Sequence, residues 1–137
     1  MSLYEQDFYQ WTQEQAALLK AGALSHIDVE NIIEEIESMG RSEHRELVHR
    51  LEVLIAHLLK WDHQPECRGK SWMNTIRIQR IDIKKIFKDS PGLKSKFASA
   101  ILSAYEKAVL LASDETGMDE AAFPESCPYS VEEIMGE

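Results

Sequence analysis

Apolar residues recur every three to four positions along most of this chain, and glycine, proline and capping residues cut the pattern into helical stretches. The first stretch, from about Tyr4 to Ala21, carries Tyr4, Phe8, Trp11, Leu18 and Leu19 on an aromatic-rich face. Gly22 supplies the left-handed stop expected just past a helix end. The second stretch opens at Asp28, a favourable N-cap, with Glu30 near the positive end of the helix dipole. Val29, Ile32, Ile33, Ile36 and Met39 then fall on one stripe. Gly40 ends this helix, bends it, or sits inside one long helix where a neighbour packs closely. From Ser42 to Trp61, Leu47, Leu51, Leu54, Ile55 and Leu58 share a clear amphipathic face.

Asp62 to Lys70 contains Pro65 and Gly69 and reads as a loop. Ser71 is placed to cap the next helix, where Trp72, Met73, Ile76, Ile83, Ile86 and Phe87 share a face while Ile78 and Ile81 project from the opposite side. Ser90-Pro91 pairs an N-cap with proline at the first helical position, and the helix it starts runs to Thr116, stopped by Gly117. Leu93, Phe97, Ile101, Ala104, Ala108 and Leu111 form its stripe. Phe123-Pro124 and Cys127-Pro128-Tyr129 read as an extended strap, and Ser130-Val131-Glu132-Glu133 fits a capping box that starts a last short helix. No segment reads as a strand. The pattern therefore predicts an all-α single domain: a bundle of about five helices with an irregular C-terminal strap.

The 137 residues have the composition of a globular chain, with no apolar run approaching the roughly 20 residues of a membrane span. No signal-peptide pattern opens the chain, and its two cysteines, Cys67 and Cys127, stand far apart. The expectation is a cytoplasmic protein with free thiols and no membrane association. A net charge of −9 speaks against nucleic acid as a partner. The charge is unevenly spread, however. Residues 68–96 hold nine basic groups (Arg68, Lys70, Arg77, Arg80, Lys84, Lys85, Lys88, Lys94, Lys96) against Asp82 and Asp89. That basic segment is expected to lie against the acidic parts of its own chain.

Helical geometry turns Glu30, Glu34 and Glu37 away from the isoleucine stripe, which reads as a solvated acidic face. Glu35 borders that stripe and His57 borders the leucine face, while Lys60 points outward. If the two helices pack antiparallel, Glu35 and His57 meet at a half-buried seam, where a carboxylate would orient the imidazole and raise its pKa. Glu46 and His49 have the Glu-x-x-His spacing of di-iron bundles, but no second motif accompanies them and both lie on a polar face. His63 and Cys67 lack the further ligands a zinc site needs. There is no nucleophile elbow and no glycine-rich phosphate loop. No cofactor and no metal are expected.

Taken as a set, these residues resemble a bacterial family, abundant in cyanobacteria: the domain-of-unknown-function family numbered twenty-nine. The resemblance runs from Leu3-Tyr4-Glu5-Gln6-Asp7-Phe8 with Trp11, through Asp28-Val29-Glu30-Asn31 and Ile33-Glu34-Glu35-Ile36-Glu37, to Leu54-Ile55-Ala56-His57-Leu58-Leu59-Lys60-Trp61. It continues through Ser71-Trp72, Thr75-Ile76-Arg77, Ser90-Pro91, Phe123-Pro124 and Cys127-Pro128-Tyr129. It implies an all-helical domain of this size and supplies no activity. Within its motifs, Glu35, His57 and Lys60 are the candidate catalytic residues. The leading expectation is a non-enzymatic interaction or regulatory module whose partner is a protein, self or other. Its surface would centre on Ile78 and Ile81 with Arg77, Arg80 and Lys84 beside them. The alternative is a helical-bundle enzyme, metal-assisted or not, built on Glu35 and His57.

Overall fold

Every regular element in the computed structural model, which describes residues 1–137, is a helix. The α-helices are α1 (Leu3–Gln6), α2 (Phe8–Lys20), α3 (Val29–His63), α4 (Lys70–Asp89), α5 (Phe97–Thr116) and α6 (Val131–Met135), with short 3-10 turns between them. The all-α class expected from the periodicity is therefore what the chain adopts. Its packing divides into two compact units, Met1–Ser42 and Glu43–Glu137.

In the first unit the aromatic face forms as expected, but on two helices rather than one. Asp7 interrupts the run, because its carboxylate accepts the Gln10 N–H at 2.9 Å and so caps α2 instead of continuing α1. Tyr4, Phe8 and Trp11 then cluster, with the Tyr4 ring edge-on to Trp11 at 4.7 Å and Phe8 stacked on it at 5.6 Å. Trp11 is the only buried residue of this unit. Its indole N–H donates to Asp28 at 3.0 Å, and Asn31 donates to the same oxygen at 2.8 Å. Those two bonds, Asn31 first, hold the Asp28 carboxyl below its usual range. Tyr4 donates to Glu35, which pushes its phenol up to about 12.

Gly40 does not end the second helix: it sits inside one long helix, α3, that runs unbroken from Val29 to His63, and no neighbour packs closely against it. An interior glycine costs only about 1 kcal/mol against alanine, too little to outweigh hydrogen bonds continuing on both sides. The apolar stripe on the first part of α3 has an unexpected fate. Such stripes ordinarily face a core, yet Val29, Ile33, Ile36 and Met39 are exposed and Ile32 alone is half-buried. The face turned toward α1 and α2 is instead the polar one, Asp28, Asn31 and Glu35.

The second unit holds the core. Leu47, Leu51, Leu54, Ile55 and Leu59 of α3 pack with Ile76, Ile83 and Phe87 of α4 and with Phe97 and Ile101 of α5. Ala100, Ala104, Ala108 and Ala112 make a fully buried ridge of small side chains at four-residue spacing. The α4 helix starts two residues early, with Gly69 rather than Ser71 at its N-cap, so Ser71 lies in the first turn. Ser90-Pro91 opens a 3-10 segment to Lys96 that passes into α5 at Phe97, rather than α-helix directly.

The strap beyond Gly117 is pinned at three points. Phe123 is buried, Tyr105 donates to the Pro124 carbonyl at 2.6 Å, and Tyr129 donates to Asp62 at 2.6 Å. Burial and the Asp62 bond both push the Tyr129 phenol well above its ordinary value. The Ser130–Glu133 capping box forms in both directions, and α6 places Ile134 and Met135 in the core.

Candidate functional site

One polar cluster in the second unit gathers His57 and Lys60 from α3, Trp72 from the first turn of α4 and Glu115 from the last turn of α5. His57 and Lys60 are three residues apart and so share a helix face. With the tautomer in which Nδ1–H donates to the Val53 carbonyl at 2.9 Å, Nε2 keeps a lone pair facing Lys60 Nζ at 3.5 Å. The Lys60 ammonium is ion-paired to Glu115 and stands over the Trp72 ring, 4.7 Å from its centre. Lys60 was expected to point outward, but it is only 3% exposed. Its long stem is buried with it, and Glu115 supplies the counter-charge that makes burial tolerable.

Burial pushes the His57 imidazole below its ordinary value, and the Lys60 charge acts the same way, against the opposing Val53 carbonyl bond and the Glu115 charge. A base with a lowered folded-state pKa binds more protons when unfolded. Its neutral form therefore contributes fully above the unfolded value of about 6.5, and stability is lost as pH falls below it. Unfolding midpoints of the wild type and His57→Asn between about pH 5 and 8 should diverge in slope on the acid side. Parallel curves would show that His57 is not held neutral by the fold.

The other sequence candidates do not join this cluster. Glu35 accepts from Tyr4 in the first unit and stands roughly six turns from His57 along the same helix. The antiparallel pairing that would have joined them does not exist, because both residues lie on α3. Glu46 is paired to Arg50, which also reaches Asp82 at 3.0 Å. His63 lies against the buried Phe123 ring, 4.9 Å between centres, and its Nδ1 is 2.9 Å from the Leu59 carbonyl. Glu115 had no signal in the sequence, since nothing local ties it to a lysine fifty-five positions earlier.

A second feature is the outer face of α4. Ile78 and Ile81 are 53% and 64% exposed, with the exposed Arg77, Lys84, Lys85 and Lys88 around Ile81 and Asp82 and Asp89 on the far flank of Ile78. Arg80 does not belong to this face: it turns to the end of α6 and donates to the carbonyls of Ile134 and Glu133 at 2.8 and 3.1 Å. The basic segment is not neutralised by ion pairs within the chain. The ion pairs of the protein use Arg41, Arg50, Lys60 and Lys107, and none of the nine basic groups between 68 and 96. Arg77, Lys84, Lys85 and Lys88 are exposed on α4, Arg68 stands over Trp61, and Lys85 lines a shallow pocket with Glu43, Glu46 and Asp82 without forming an ion pair. Beside this face an open groove of about 770 Å³ runs between Lys84, Phe87, Lys88, Phe97, Val131 and Met135.

No helix is long and apolar enough to cross a membrane. Comparison with curated proteins and with solved structures finds no match. The family described as "Domain of unknown function DUF29" matches residues 3–137, essentially the whole chain, and the protein belongs to it.

Proposed function

We propose that this protein is a non-enzymatic interaction module that binds a protein partner through the outer face of α4. The observation carrying this reading is that Ile78 and Ile81 are exposed beside four cations, Arg77, Lys84, Lys85 and Lys88, that form no ion pair in the chain. Two isoleucines at three-residue spacing fit the apolar face of a docked helix, and the surrounding lysines and Arg77 fit carboxylates along its flanks. The partner class is therefore an acidic amphipathic helix. Nucleic acid fits less well, because isoleucine offers no stacking surface and the chain carries a net charge of −9. The His57–Lys60–Glu115 cluster supports the same reading, since its lysine is committed to Glu115 and Trp72.

The test is site-specific photo-cross-linking in cells, with a benzophenone side chain at position 78 or 81 and, as a control, at the exposed Leu102. Protein adducts at 78 and 81 beyond those at 102 are expected. Adducts to nucleic acid, or equal yield at all three positions, would overturn the reading.

A further inference from the structure

The first unit carries a surface complementary to the α4 face. Val29, Ile33 and Ile36 lie exposed along one side of α3, flanked by the exposed carboxylates Glu30, Glu34 and Glu37. We infer that the acidic amphipathic helix docking on α4 is the first part of α3 from a second copy of this chain, an inference that rests on the reading of the α4 face above.

Three observations carry it. The lengths match: Val29 to Met39 and Arg77 to Lys88 each span about 16 Å of helix. The charges match as well. Of the basic groups near the acidic stripe only Arg41 engages it, at 3.0 Å from Glu34 and 4.0 Å from Glu37, in solvent-exposed pairs that are readily exchanged. Opposite it, Lys84, Lys85 and Lys88 form no ion pair in their own chain. The third observation is size. A unit of 42 residues with Trp11 as its sole buried residue is at the limit of what a chain stabilises unaided, and covering the isoleucine stripe supplies apolar burial it lacks. A single helix-on-helix seat is short of the roughly 1,200 Å² of a stable interface, but each copy carries both stripes, so the contact can be made more than once per assembly.

The experiment is a charge exchange read by native mass spectrometry and sedimentation on the full chain at about 100 µM, where a small interface is populated. One variant carries Glu30→Lys, Glu34→Lys and Glu37→Lys, the other Lys84→Glu, Lys85→Glu and Lys88→Glu. All six positions are exposed, and circular dichroism confirms that each variant keeps its helices. The wild type should show at least twice the 15.7 kDa monomer mass. Each variant alone should be monomeric, because its two stripes then bear one sign, and an equimolar mixture should regain a mixed complex. A monomeric wild type, or folded variants that stay separate on mixing, would overturn self-association. Photo-adducts at 78 and 81 to a different protein would, in that event, leave the interaction reading standing, so the two failures are distinguishable.

Discussion

Truncating Leu54 to alanine should lower the unfolding free energy by about 3–4 kcal/mol, the loss expected when a fully buried leucine leaves a cavity its neighbours cannot close. Leu54 is enclosed in a cluster with the buried side chains of α4 and α5, and the alanine ridge of α5 leaves little freedom to collapse inward. Ile36→Ala, eighteen positions earlier on the same helix, is the internal control. Its side chain is more than half exposed, so in dilute protein the cost should stay within about 0.5 kcal/mol. Urea unfolding of both variants at low micromolar concentration checks this. Equal losses at the two sites would mean that the isoleucine stripe is covered even in dilute protein, and the placement of the core would be wrong.

The second large effect lies at Lys60. Removing Glu115 leaves an almost fully buried ammonium without its counter-ion, and Glu115→Ala should cost about 2–3 kcal/mol. That is below the figure for a wholly buried pair because the glutamate side chain is about half exposed and solvent screens it. Lys60→Met removes the charge and its burial penalty together while keeping a long side chain against Trp72, so it should change stability by less than about 1 kcal/mol. Placed on the Lys60→Met background, Glu115→Ala should then cost almost nothing. A double-mutant cycle by equilibrium unfolding measures the coupling. If Glu115→Ala costs the same in both backgrounds, the ion pair is not what makes Lys60 burial tolerable.

These two predictions separate what periodicity reveals from what it hides. The leucine face of α3 was legible because Leu47, Leu51, Leu54 and Ile55 repeat at helical spacing and are buried where the spacing places them. The isoleucine stripe of the same helix repeats just as well and is exposed. Spacing reports that a face is apolar, not what covers it. Lys60 shows the converse: a helical wheel turns it outward, and only the arrival of Trp72 and Glu115 from distant positions encloses it.

Local chemistry alone determined the helical class, the stops at Gly22 and Gly117, both with positive φ, and the Ser130 capping box, because each depends on residues within a turn of one another. Tertiary structure decided the rest. It placed Lys60 between His57 and Glu115, left the cations of the outer α4 face without internal ion pairs and turned Arg80 to the end of α6. Each of those outcomes depends on which side chains from remote segments arrive at a point, and that is set by packing of the whole core rather than by neighbours in sequence.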